Sequence, residues 1–360
     1  MKIASLHIGH DASSSFFDGE NLAYFLEERY SRIKHDDRYN YCLEKLLELD
    51  IKFDFLVISS FDNQVLNSLS SNPKFKKFVL DYKEKQGEPL QIIFDHSHHR
   101  HHASIAFYNS NFDRSLVFVI DGSGQNEGTI RECESVYIAE YSDKFIPIYK
   151  NYLIVGSNNP HKDLEKVKQK YPTAECTAES KLGIASLYGS CAAHFGEGEL
   201  SAGKVMGMQS YGNVSDKNFI KDQFYINDLD FFIDYKLLRC YNKNIKIFDK
   251  VKDNNFKILS GYAKDLQKQT EQMVLHLIGK YVNQTNIKNV CISGGYGMNI
   301  IANTLYQETF PDVKFYNEPL SIDCGISLGA CFYHYRNKTQ DMEKKPILNP
   351  CFHGGLTKIN

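Results

Sequence analysis

The chain has 360 residues, and its 42 Lys+Arg against 44 Asp+Glu leave a formal charge of −2, which gives no electrostatic case for a dedicated polyanion binder. Apolar residues make up 42%, enough for a buried core and too many for a disordered chain. No apolar run approaches the roughly 20 residues of a membrane span, the start Met1-Lys2-Ile3-Ala4-Ser5-Leu6-His7 is too polar for a signal peptide, and nine cysteines without a Cys-x-x-Cys pair read as reduced thiols of a cytoplasmic protein.

Residues 2–9 and 12–17 read as strands, Asp18-Gly19 as a hairpin turn and residues 21–27 as a third strand. Leu43, Leu46 and Leu47 fall on one face of a following helix. The apolar runs 55–59 and 91–94 suit buried parallel strands. The programme restarts near residue 115: a strand over 115–120 runs into Asp121-Gly122-Ser123-Gly124, and 133–141 and 145–149 supply two more. A strand–turn–strand–strand opening followed by helices thus occurs twice, which predicts two similar α/β lobes. Residues 177–195 and 261–284 read as helices, the second with a core-facing stripe of Ala263, Leu266, Met273, Val274, Leu277, Ile278 and Tyr281. Residues 289–293 form a strand, 294–297 a loop, 298–308 a helix and 326–335 another; residues 213–253 carry no clear pattern.

The densest chemical signal is Asp95-His96-Ser97-His98-His99-Arg100-His101-His102, continued by Ala103-Ser104-Ile105-Ala106-Phe107. On a helix His98 and His102 are four apart and project from one face. Two imidazoles so placed can share a divalent metal with a carboxylate from elsewhere; the competing reading is a histidine-rich solvated turn. The apolar continuation favours a helix that enters the core.

Three glycine loops adjoin strand or helix ends: Asp121-Gly122-Ser123-Gly124, Ser293-Gly294-Gly295-Tyr296-Gly297 and Asp323-Cys324-Gly325. Glycine permits close backbone approach, and a helix N-terminus offers free N–H groups to phosphate. Singly each is only a turn; together they predict a nucleotide cleft between the lobes. None matches the Walker or dinucleotide fingerprints. His10-Asp11 follows the first strand and faces either the same cleft or an ordinary turn. Gly203-Lys204-Val205-Met206-Gly207 is a small-residue segment, and residues 27–36 read as a solvated charged face.

As an ordered set these segments resemble the N-terminal domain of the NodU-type O-carbamoyltransferases. The residues that carry the likeness are His10-Asp11-Ala12-Ser13, Glu28-Arg29-Tyr30-Ser31-Arg32-Ile33-Lys34-His35-Asp36, the run from His98 to Phe107, Asp121-Gly122-Ser123-Gly124, Gly203-Lys204-Val205-Met206-Gly207, Ser293-Gly294-Gly295-Tyr296-Gly297-Met298-Asn299 and Asp323-Cys324-Gly325-Ile326-Ser327-Leu328-Gly329. That domain is similar to the tRNA threonylcarbamoyl transferases. The resemblance implies the duplicated actin/Hsp70/sugar-kinase-like α/β fold, with lobes at 1–113 and 114–345 around a nucleotide cleft, and a tail at 346–360 like the junction to a second domain. It implies an iron-type divalent metal on His98, His102 and Asp323, and a nucleotide held by Gly122, Ser123, Gly124, Gly294, Gly295 and Asn299. Lys204 would partner phosphate or a developing oxyanion, and Asp11 would orient the acceptor or a metal-bound water.

The implied reaction moves a carbamoyl group from carbamoyl-adenylate, made from ATP and carbamoyl phosphate, to an acceptor hydroxyl. The acceptor is a small molecule, or nucleic acid only if it is a hydroxymethylated base. Two other readings stand beside it, a non-catalytic nucleotide-binding subunit and a phosphotransferase of the same fold; the histidine pair weighs against kinase magnesium, which prefers oxygen ligands. Members of the family continue into a domain that forms the adenylate, so the expectation here is a separate subunit for that step. The 360-residue chain alone is therefore expected to release no pyrophosphate from ATP plus carbamoyl phosphate; efficient release in a coupled assay overturns the split.

Overall fold

Strands rich in Ile, Leu, Val and Phe organise the chain into two large sheets, and Lys181–Leu182, Phe224–Asn227 and Asp230–Asp234 form a small third one. The computed structural model describes residues 1–60, 68–195, 198–212, 224–227, 230–234, 253–344 and 357–358. The first sheet contains β1 (Ile3–His7), β2 (Ser13–Phe17), β3 (Asn21–Leu26), β4 (Phe55–Ser59) and β5 (Ile92–Asp95) in the order β3-β2-β1-β4-β5. β1, β2 and β3 are antiparallel neighbours, whereas β4 and β5 join parallel to β1. The hairpin turn closes where expected: Asp18 Oδ1 accepts the Glu20 and Asn21 amides, and Gly19 has φ +95°, a region open to glycine. Helices α1 (Glu27–Ser31), α2 (Asn40–Glu48) and α3 (Pro73–Gln86) precede β5, and α4 (His98–Asn109) follows it. Leu43 and Leu46 of α2 enter the core while Leu47 is half-buried.

The second sheet repeats this plan with β6 (Arg114–Ile120), β7 (Ile130–Glu140), β8 (Lys144–Ile154), β9 (Glu175–Glu179), β10 (Asn289–Ser293) and β11 (Lys314–Asn317) in the order β9-β8-β7-β6-β10-β11. β6, β7 and β8 are antiparallel, and β10 and β11 run parallel to β6. The element order β8-β7-β6-β10-β11 therefore matches β3-β2-β1-β4-β5 in both sequence and polarity. Between β8 and β10 lie α5 (Pro160–Lys170), α6 (Ile184–His194), α7 (Ala202–Met208) and α8 (Asp253–Thr285); α9 (Ile300–Thr309) joins β10 to β11, and α10 (Ile326–Thr339) follows β11.

The closing helix of each unit packs on the other unit's sheet. α4 lies against β6 and β10, α10 lies against β1, β2 and β4, and the two helices pack on each other. Ala103, Ile105, Ala106 and Phe107 of α4, with Leu328, Ala330, Cys331 and Phe332 of α10, share one core cluster with residues of both sheets. At their crossing a Cβ on Gly329 would overlap the His101 carbonyl. Serine hydroxyls tie α10 down: Ser13 and Ser15 reach Ser327 Oγ at 2.9 and 2.6 Å, and Ser5 donates to the Ser327 carbonyl.

Three expectations change. Residues 177–195 are not one helix: 175–179 pair in parallel with β8 as β9, where Thr177 bonds Asn151, and α6 starts only after Gly183, whose bare backbone fits against Cys133 and Glu134. The strand at 91–94 is not fully buried, since β5 is a sheet edge and Phe94 is 49% exposed. The charged stretch 27–36 is not simply a solvated face; Glu27 is buried and accepts the Asn40, Tyr41 and Cys42 amides at the start of α2. Most of 213–253 and of the 346–360 tail lies outside the described residues; Thr357–Lys358 pair with β3. No described helix is long and apolar enough to cross a membrane. Gly329→Ala is expected to destabilise the chain by about 1–3 kcal/mol, because backbone at the crossing must move; urea unfolding against the parent measures it.

Candidate active site

The site forms where the two exchanged helices begin. α4 places His98, His99, His101 and His102 in the protein interior, each 0–1% exposed, so the solvated-turn reading of this tract is wrong. The reason is the layer: α4 lies between two sheets and has almost no solvent face. His98 Nε2 and His102 Nε2 lie 3.2 Å apart. Asp323, at the lead-in to α10, comes within 3.5 Å of both through Oδ1. Asp121, at the end of β6, comes within 3.5 Å of His98 and 4.0 Å of His102.

These four residues converge with all donor atoms within 4.8 Å of one another. Asp121 was legible only as part of a glycine loop; nothing in its spacing from the histidines marked it as a member of the set. Its orientation is fixed by backbone donors, Gly295 N–H at 2.8 Å on Oδ1 and Ser123 N–H at 3.2 Å on Oδ2. Asp323 is steadied through its neighbour, since Tyr24 of the first sheet donates to the Cys324 carbonyl at 3.0 Å.

The electrostatics follow from two carboxylates buried side by side. Burial favours the neutral form of Asp323, yet His98 and His10 outweigh it and hold the carboxyl well below the usual range. Burial likewise opposes the charge on Asp121, and His98 and His102 reverse it. Burial alone would lower the His98 pKa, but Asp323 and Asp121 raise it to about 10. The cluster thus demands positive charge at its centre.

The donor set is two imidazoles and two carboxylates, the kind that suits first-row divalent metals. Its spacing fits as well: ligands about 2.1 Å from a shared ion lie roughly 3.0–3.5 Å from each other, which is the separation found along most edges of this set.

Beside the cluster opens a cavity of about 1250 Å³ between the lobes, with Asp11, Asp121, Asp323, Gly122, Ser123 and Gly295 in its wall. That volume exceeds a drug-sized pocket and has room for a nucleotide plus a second molecule. The expected loops divide. Gly122 is open to the cavity, and Ser186 of α6 anchors it by a 2.6 Å bond to its carbonyl. Gly124 packs against the His99 ring, and Gly294, at φ +87°, is pressed on the Ile120 backbone. Asn299 is turned inward, bonded to Gln267 and Tyr188 and capping α9 through Ala302 N–H. Gly124, Gly294 and Asn299 therefore shape the loops from behind and do not line the cavity.

Lys204 is exposed on α7 and is not in the cavity wall, whereas Gly203 and Met206 of that helix are. Lys34 and His35, from the stretch read as a charged face, are in the wall. Asp11 sits there too, with one oxygen 2.9 Å from His10 Nδ1 and the other 2.8 Å from His35 Nδ1. Asp11 takes a left-handed backbone conformation, φ 59°, which turns it back toward His35.

A family model described as carbamoyltransferase N-terminus matches residues 69–332. Nodulation protein NolNO of Sinorhizobium fredii is 26% identical over 355 residues, 89% of this chain and 45% of that protein. Nodulation protein NolO of Bradyrhizobium diazoefficiens is 25% identical over 246 residues, 65% of this chain and 37% of that protein. Full-length HypF, crystallised in a phosphate- and nucleotide-bound form, superposes with a TM-score of 0.53 at 15% identity, covering 93% of this chain and 55% of HypF. HypF of T. kodakarensis gives 0.52 at 11% identity, with 97% and 49% covered. The duplicated sheet order and this likeness give the actin/Hsp70/sugar-kinase-like fold. The chain spans about half the length of the curated relatives it matches.

One consequence is measurable without ligands. His98 at about 10 and His10 at about 9 stand above the ordinary value of 6.5, so their protonation stabilises the fold fully below pH 6.5 and the contribution is lost as pH rises through about 9 to 10. In chelator, melting temperature is expected to fall over that window, and Asp323→Asn to flatten the fall.

Proposed function

The chain belongs to the carbamoyltransferase N-terminal family, and from that premise we propose that it is the transferase half of an O-carbamoyltransferase. The observation that carries this reading is the meeting of His98, His102, Asp121 and Asp323 at the wall of a cavity wide enough for two ligands. A divalent ion held by these four residues, in our reading iron(II), supplies Lewis acidity to the carbamoyl group and offsets phosphate charge.

The remaining roles fall to the chain itself. Gly122, Ser123 and Gly295 present backbone to the nucleotide, and the same loops fix Asp121. Lys34 takes the place first given to Lys204 as the cation facing phosphate, because it lines the cavity. Asp11 holds His10 and His35 through its two oxygens, which orients both rings at the acceptor's side of the cleft. The donor is carbamoyl-adenylate. The acceptor hydroxyl oxygen forms a bond to the carbamoyl carbon; the bond from that carbon to the phosphate oxygen breaks, its electron pair leaves on AMP, and the hydroxyl proton passes to water in the cleft. The donor is formed elsewhere, on a separate subunit or a region outside these residues, and the acceptor is a hydroxylated small molecule.

The test supplies carbamoyl-adenylate, or ATP and carbamoyl phosphate with the activating partner, to a panel of hydroxylated acceptors, and follows the gain of one carbamoyl group by mass spectrometry. The His98→Ala/His102→Ala pair is expected to lose bound metal and to lower transfer by more than about 100-fold, since even indirect damage to a metal site costs about 10–100-fold. Phosphate transfer from ATP with no carbamoyl donor, or carbamoyl transfer unchanged in the double variant, would sink the reading.

A further inference from the structure

Arg131 is a half-buried arginine that meets no acid. Among the described residues Arg38, Arg100, Arg114 and Arg336 each lie 2.7 to 3.1 Å from a carboxylate oxygen, and Arg29 and Arg32 are exposed. Arg131 lines the cavity between the lobes, and its only side-chain hydrogen bond among the described residues runs from Nε to Asn126 Oδ1 at 3.0 Å. Asn126 is its cross-strand neighbour at the start of β7, so the hairpin itself aims the group. The bond uses Nε and leaves both terminal nitrogens, the edge with which a guanidinium grips a carboxylate or a phosphate in bidentate fashion. A guanidinium held at Nε has given up much of its rotamer freedom before a ligand arrives.

The charges already assigned in the cleft leave Arg131 over. In the metal reading the two charges of the ion are met by Asp121 and Asp323. Asp11 is shared by His10 and His35. The phosphorus of carbamoyl-adenylate carries two bridging oxygens, one to ribose and one to the carbamoyl carbon, so it keeps a single negative charge, and Lys34 faces it. Arg131 also stands to one side of the nucleotide loops. Gly122 and Ser123 follow β6 and Gly295 follows β10, whereas Arg131 is on β7, which flanks β6 on the side away from β10. Leu153, its neighbour on β8, and Val155 continue the cavity wall there.

We propose that Arg131 is a specificity-determining residue that binds an anionic group, carboxylate or phosphate, on the acceptor. The inference rests on the transferase reading above and narrows its acceptor to an acidic hydroxylated molecule, a hydroxy acid or a sugar phosphate. A neutral acceptor of the same shape forgoes the charge-assisted bond. An acceptor gripped at its acid group presents one hydroxyl to the donor instead of several.

The test has two arms. In the first, the full chain loaded with Mn²⁺ and saturated with AMP, which occupies the donor's phosphate position, is titrated with inorganic phosphate in a calorimeter. The parent is expected to bind phosphate and Arg131→Gln, checked for fold by circular dichroism, to bind it about 10–100-fold more weakly. Arg131→Lys, which keeps the charge and loses the fork, is expected to fall between them. In the second arm, neutral, carboxylated and phosphorylated acceptors are compared in the mass-spectrometric transfer assay. The acidic ones are expected to be carbamoylated preferentially, and Arg131→Gln to raise their KM by about 10–100-fold while changing kcat far less. Phosphate binding that is absent, or equal in parent and Arg131→Gln, overturns the anion site. Weaker AMP binding in Arg131→Gln with an unchanged acceptor KM gives the residue to the donor and overturns the proposal too. Preferential transfer to neutral or cationic acceptors overturns the acceptor class and keeps the transferase reading. Transfer to no acceptor of any charge, with phosphate still bound through Arg131, overturns the transferase reading and leaves only the anion site.

Discussion

Two aspartates of the second unit, Asp121 after β6 and Asp323 at the lead-in to α10, are buried within reach of one another, and much of the structure answers that constraint. Isolated carboxylates in a protein interior are strongly disfavoured unless cations or hydrogen-bond donors surround them. Here the answer is concentrated: His98, His102, His10 and His7 ring Asp323, while Gly295 and Ser123 amides hold Asp121. A site built this way keeps its negative charge in place before any ligand arrives, which is the pre-organisation that metal and phosphate chemistry require.

The exchange of α4 and α10 between the sheets is what makes the convergence possible. Each helix starts near the cleft and then runs between the sheets. α4 carries the histidines toward the second sheet, and the lead-in to α10 carries Asp323 toward the first. The serine contacts at Ser327, the Tyr24 bond to Cys324 and the close crossing at Gly329 hold α10 against β1 and β2. A change in the angle between the units would therefore move Asp323 relative to Asp121, so lobe geometry and site geometry are one variable.

The sequence signals that succeeded were local. The apolar runs at 55–59 and 289–293 became β4 and β10, and the three- and four-residue stripe from Ala263 to Tyr281 became the buried face of α8. Signals failed where burial depends on distant partners. Residues 177–179 read as the start of a helix yet pair with β8 as part of β9, because a neighbouring strand edge offers hydrogen bonds that no local pattern announces. Helix α3 carries its own local signals: Asn72 caps it, Pro73 starts it and Gly87 ends it in a left-handed turn.

The residues themselves determined the repeated α/β plan, the pairing of His98 with His102 on one helical face, and, by likeness to a family, the addition of Asp323. Spacing along a helix fixes which side chains share a face, and this needs no knowledge of the fold. The tertiary structure alone decided that Asp121 completes the set, that Lys34 and not Lys204 faces the cavity, and that His7 and His10 flank the far oxygen of Asp323. Those placements depend on how two sheets are brought together through exchanged helices, a long-range packing result that no stretch of neighbouring residues encodes.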